Sequence, residues 1–128
     1  MVHIQGVNYM NFSISIRFRG GDFDPKIISE ALNMTADRTS LDEDFKRKGR
    51  CYWTKKIKPE PDLITTLYTV TDALWIKRDF IMSLKGSGVS CGLFIGINVG
   101  PSFGFEIPCD LLDRLRIIGL QMDFDLYP

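Results

Sequence analysis

The sequence predicts an α+β protein: one mostly antiparallel sheet in a single layer, with helices packed on one face. Three observations carry that expectation. Apolar residues alternate strictly in Phe12–Arg19, in Val89–Val99 and in Leu120–Tyr127, the period of a strand with one buried side. Between them run segments with apolar residues three and four apart, the period of a helix. Gly and Pro punctuate almost every change of period.

Phe12, Ile14, Ile16 and Phe18 form the apolar side of the first strand, which Gly20-Gly21 ends. Asp24-Pro25 opens a helix, because an Asp carboxylate accepts an orphan backbone N–H and Pro needs no donor at the first helical position. Ile27, Ile28, Ala31 and Leu32 supply its stripe, which stops near Asn33 or Met34. Thr35–Gly49 has no apolar period and reads as a loop. Arg50–Ile57 reads as a strand at a sheet edge, where its lysines face water. A long helix starts at Asp62 and ends at Gly86, with a kink or split expected in its Thr-rich part near Thr71-Asp72. Val89–Val99 reads as a central strand whose second face carries Gly92 and Gly96, a pattern that points to close packing. Phe103–Ile107 is a short strand, Pro108–Ile118 a helix with stripe Leu111, Leu112, Leu115 and Ile118, and Gly119 its C-terminal cap. Leu120–Tyr127 is the last strand. The order βαβαββαβ admits a ferredoxin-like arrangement, with the first and last helices as the related halves.

The chain has 128 residues, 45% hydrophobic and 12% aromatic, enough for one core without a disulfide or metal staple. Residues 1–10 read as a tail and 11–128 as a single domain. No apolar run is long enough for a membrane span, and the N-terminal residues lack the pattern of a secretory signal. Three widely spaced cysteines, Cys51, Cys91 and Cys109, point to a reducing compartment such as the cytoplasm, with Cys91 and Cys109 as small core residues.

Candidate chemistry is sparse. His3 is the single histidine and sits in the expected tail, which argues against histidine-based triads and two-histidine metal sites. No phosphate loop, dinucleotide fingerprint or C-x-x-C pair is present. The expectation is therefore no catalytic residue, no cofactor and no metal.

Charge is balanced at 16 basic and 16 acidic residues, but it is not evenly spread. Asp42, Glu43 and Asp44 precede a run of cations, Lys46, Arg47, Lys48, Arg50, Lys55, Lys56 and Lys58, that contains no acid. Tyr52 and Trp53 lie inside that run. Cations with an aromatic anchor suit an acidic protein partner, or a nucleic-acid backbone with base stacking. Asp123 and Asp125 share one face of the last strand about 6–7 Å apart, a spacing that serves a solvated face, a basic partner, or acid/base work in a small carboxylate enzyme.

Several segments resemble a known family. The strand and helix from Ile14 to Leu32, with Gly20-Gly21-Asp22-Phe23-Asp24-Pro25 between them, are similar to the start of the bacterial family known as domain of unknown function 4279. So are Lys48-Gly49 followed by Trp53, and the ending from Leu111-Leu112 through Gly119-Leu120 to Asp123-Phe124-Asp125-Leu126-Tyr127. The acidic-then-basic middle departs from the family's usual small residues and arginines. The resemblance implies the fold and no set activity. By analogy with other small bacterial proteins, the expected function is a non-catalytic protein-binding module, an immunity protein that occludes a toxin domain. The alternatives are nucleic-acid binding through residues 46–58 and a small carboxylate-based enzyme using Asp123 and Asp125.

Overall fold

The computed structural model describes residues 12–42, 50–99 and 104–128. Strand β1 (Phe12–Arg19) leads through helix α1 (Pro25–Leu32) to the two-residue strand β2 (Arg38–Thr39). A 3-10 turn (Ser40–Asp42) follows, and the chain re-enters the sheet as β3 (Tyr52–Ile57). Helices α2 (Leu63–Trp75) and α3 (Arg78–Gly86) precede β4 (Ser90–Asn98), and α4 (Cys109–Ile118) leads to β5 (Gln121–Tyr127). The five strands lie in the order β2-β3-β1-β4-β5. β1 is antiparallel to both β3 and β4, β2 is antiparallel to β3, and β4 and β5 run parallel.

The first six elements of this order, counting α2 and α3 together, form a ferredoxin-like βαββαβ unit with strand order β2-β3-β1-β4. Its halves are β1-α1-β2 and β3-α2-α3-β4. The pairing expected from the sequence, first helix with last, is therefore corrected. α4 and β5 are an addition that extends the sheet beyond β4.

Local chemistry explains the elements. Asp24 caps α1 by accepting from the Lys26 amide at 3.0 Å, and Asn33 ends it in the left-handed region. Asp62 caps α2 by accepting from the Thr65 amide at 2.8 Å. Within α2, Thr66 and Thr69 turn their hydroxyls back onto the carbonyls of Asp62 and Thr65, a bond that satisfies the hydroxyl inside the helix without strengthening it. The split falls at Ile76-Lys77, not at Thr71-Asp72: the Lys77 amide closes a tight turn onto the Leu74 carbonyl, and Arg78 donates to the Trp75 carbonyl. Gly119 ends α4 at φ 84°, a left-handed conformation that glycine adopts without strain.

Ile14, Ile16, Phe18, Trp53, Leu93, Ile95 and Ile97 project from one side of the sheet into a single core with Ile28, Leu67, Leu74, Ile81, Leu111 and Ile118 of the helices. The four described helices thus all set buried apolar residues against one face of the sheet, while Ile27 of the α1 stripe stays exposed. Trp53 joins α1 to the sheet: its indole N–H donates to Ser29 Oγ at 2.9 Å, and its ring meets Phe18 edge-on with centroids 5.6 Å apart.

Other expectations need correction. Residues 104–107 form no strand, and Phe105 instead packs its ring against Phe124 in β5, with centroids 6.0 Å apart. β3 is not the edge strand, because β2 pairs with it at Thr54 and Trp53. Leu112 and Cys109 are exposed, so neither belongs to the core. Residues 1–10, expected as a tail, and Phe103 lie outside the described residues.

Candidate functional site

With every described helix on one side, the opposite face of the sheet is left uncovered by helix. The pleat decides what that face carries. Residues paired across strands share a face, so the register sets Arg17 beside Thr54 and Gly92, Arg19 beside Tyr52 and Ser90, and Ser15 beside Lys56 and Phe94. The parallel pair β4–β5 then places Asp123 beside Phe94 and Asp125 beside Gly96.

The face is divided by charge. Arg38, Lys56, Arg17 and Arg19 occupy the β2-β3-β1 half, and Asp123 and Asp125 occupy β5. Phe94 lies between them, and the Arg17 guanidinium stacks on its ring 3.8 Å from the centroid, a cation–π contact. Desolvation by partial burial, and secondarily the neighbouring Arg19 charge, push the Arg17 pKa below its ordinary value, while Asp123 pulls it back up. Arginine remains a cation at neutral pH in any such setting. Arg19 meets Asp123 at 3.7 Å, both side chains about half exposed, a geometry that adds little stability.

Gly92 and Gly96 are explained by the neighbouring strands. A Cβ on Gly92 would stand 2.8 Å from the Gln121 carbonyl oxygen, and one on Gly96 would stand 3.1 Å from Ser13 Oγ. The close packing expected there is strand against strand, with the Tyr127 ring also resting over Gly96.

The expected binding residues separate by the same alternation. Tyr52, Lys56, Asp123 and Asp125 share the open face. Trp53 and Lys55 point to the helix side. Trp53 is fully buried, so it is a core residue and not a surface anchor. Lys55 is half-buried there. Arg50 is exposed just before β3, bridged to Gly21, and Asp42 closes the 3-10 turn. Glu43, Asp44, Lys46, Arg47 and Lys48 lie outside the described residues. Arg17, Arg19, Arg38 and Phe94 escaped the sequence reading. The signal for the two β1 arginines was present, since they fall on the polar side of a strict alternation, but nothing local tells whether helices cover that side.

Elsewhere the geometry offers less chemistry. A shallow groove of about 240 Å³ lies between the start of α1 and the end of α3, lined by Asp22, Phe23, Ile27, Leu84 and Val89 among others. Of its two carboxylates, that of Asp24 is engaged in capping α1. Among the described residues no group of three or more His, Cys, Asp or Glu is placed to hold a metal ion. No described helix is long and apolar enough to cross a membrane.

Fold and face together define an α+β protein with a ferredoxin-like core, an added αβ unit and an open, charge-divided sheet. The chain belongs to the family described as domain of unknown function DUF4279, which matches residues 10–128. No curated protein and no solved structure matched the chain.

Proposed function

We propose that this protein is a non-catalytic protein-binding module that uses the open face of its sheet. One observation carries the reading: a sheet covered by helices on one side presents, on the other, arginines, a lysine and an aromatic ring next to a strand of aspartates. A surface with both signs of charge in a fixed order suits a partner with the reverse order, where charge speeds encounter and sets orientation. The particular role proposed is that of a cytoplasmic bacterial immunity protein that occludes a toxin domain, by analogy with other small bacterial proteins.

Co-purification with the product of an adjacent gene tests the reading. The two halves of the face are then reversed separately, as Arg17→Glu with Lys56→Glu and as Asp123→Lys with Asp125→Lys. Loss of two cross-interface charge contacts weakens the complex by about tenfold or more in at least one double variant. A complex indifferent to both, or no complex with any neighbouring product, would sink the reading.

A second reading has one observation in its favour, a Phe on a sheet surface between cations, as in proteins that stack bases. It is weaker because Arg17 already covers that ring and Asp123 stands beside it. It requires binding to single-stranded RNA or DNA that falls steeply with salt.

A further inference from the structure

The two edges of the sheet are protected unequally. On one side β2 is only two residues long, and Asp37 closes much of what β2 leaves open. Its amide donates to the Thr54 carbonyl at 2.8 Å, and its carboxylate accepts from the Lys56 amide at 2.5 Å. On the other side β5 runs seven residues, pairs with β4 along one edge, and has no strand on its other edge among the described residues. A free edge of that length is a template for one more strand. Its side chains are also exposed in both directions: Phe124 at 41% and Leu126 at 56% on the helix side, Asp123 and Asp125 on the open side.

We infer that the β5 edge takes an extended segment of a protein partner in which basic residues alternate with apolar ones. The inference rests on the binding-module reading and names the partner's chemistry. Side chains of paired strands meet on the same face, so a strand added to β5 sets alternate residues against Asp123 and Asp125, and the residues between them against Phe124 and Leu126. Cations complement the first set and apolar side chains the second. Among the described residues Asp125 has no ion-pair partner, and Asp123 has the half-exposed contact with Arg19 and a charge interaction with Arg17.

A second copy of this chain is the less suitable occupant. Antiparallel pairing of two β5 strands about Phe124 sets Asp123 of one copy against Asp125 of the other, twice. Like charges directly opposite one another destabilise a strand pair. The aspartates therefore act as a filter, admitting a basic strand and refusing self-association.

The test uses the full chain and two labelled heptapeptides, Lys-Val-Lys-Val-Lys-Val-Lys and its Glu-Val counterpart, in fluorescence anisotropy at low and high salt. The Lys-Val peptide is expected to bind about tenfold or more tightly than the Glu-Val peptide, since two cross-strand charge pairs change sign. Added salt should weaken that binding, and in ¹H–¹⁵N spectra the shifted amides should be those of Gln121–Tyr127. Asp123→Lys with Asp125→Lys should invert the preference, and the wild-type amide shifts decide the matter even where that variant folds poorly. Equal binding of both peptides, binding that leaves the β5 amides unmoved, or no binding overturns the inference. So does a neutral-pH dimer with protected β5 amides, which would seat a second copy on the edge. A complex with a natural partner that still depends on Arg17 and Lys56 while the peptides fail would leave the open-face reading standing and remove the edge alone.

Discussion

At the scale of single residues, burial separates groups that look alike in sequence. Thr66 and Thr71 are both fully buried on α2, yet Thr66 Oγ1 bonds the Asp62 carbonyl and the Glu60 amide, while Thr71 Oγ1 has no partner among the described residues. An unpaired buried hydroxyl costs free energy that a methyl group of the same shape does not. Thr71→Val should therefore stabilise the protein by about 1 kcal/mol in urea unfolding; a loss of stability would mean that the hydroxyl is satisfied. The cysteines divide in the same way. Cys109 is exposed, Cys51 intermediate and Cys91 buried. Burial pushes the Cys91 thiol well above its ordinary value of 9.0. With the folded pKa raised, its contribution to stability is full below the unfolded value and lost as pH rises beyond it. A thiol reagent should label Cys109 first and Cys91 only on unfolding, and stability should decline above about pH 9, less so in Cys91→Ala once its own packing loss is subtracted. Rapid labelling of Cys91 in the folded protein would contradict its placement.

At the scale of elements, the informative contact is β4 against β5. β5 reaches β4 closely because position 92 has no side chain. In Gly92→Ala the new methyl would meet the Gln121 carbonyl at 2.8 Å, so the strands must part. Overpacking of that kind costs about 1–3 kcal/mol, and hydrogen exchange of the β5 amides should quicken more than that of β1. An unchanged melting point with unchanged β5 protection would show that the strand pair yields without strain. α4 is tied to the core through side chains: Tyr68 Oη donates to the Asp110 carboxylate at 2.9 Å, Arg114 pairs with Asp72, and Lys85 Nζ donates to the Gly119 carbonyl at 3.2 Å. Several of these groups are exposed, so burial of Leu111, Leu115 and Ile118 holds the helix in place more than its ion pairs do. Element type was legible wherever a period ran over a full strand or several turns, as in β1, α1, β4, α4 and β5. It failed for residues 104–107, where a few apolar residues serve as packing for Phe105 on Phe124 and never pair as a strand. It also failed for β2, whose two residues are too few to show any period.

At the scale of the whole molecule, all the described helices lie on one side of a five-stranded sheet, and the functional proposals follow from that asymmetry. The open face joins Arg17 and Arg19 of β1, Lys56 of β3, Phe94 of β4 and Asp123 and Asp125 of β5, residues up to about a hundred positions apart. By itself the sequence determined the α+β class, the helix caps at Asp24 and Gly119, and the apolar side of each long strand, because capping and alternation are local and depend on near neighbours. It also singled out Asp123 and Asp125 as one face of a strand. Only the tertiary structure decided that Trp53 is core while Tyr52 lies on the open face, that β3 lies inside the sheet, and that β5 has a free edge among the described residues. Those outcomes depend on which strands become neighbours and which side the helices choose. Both are set by the summed burial of the whole chain, and no window of residues contains that sum.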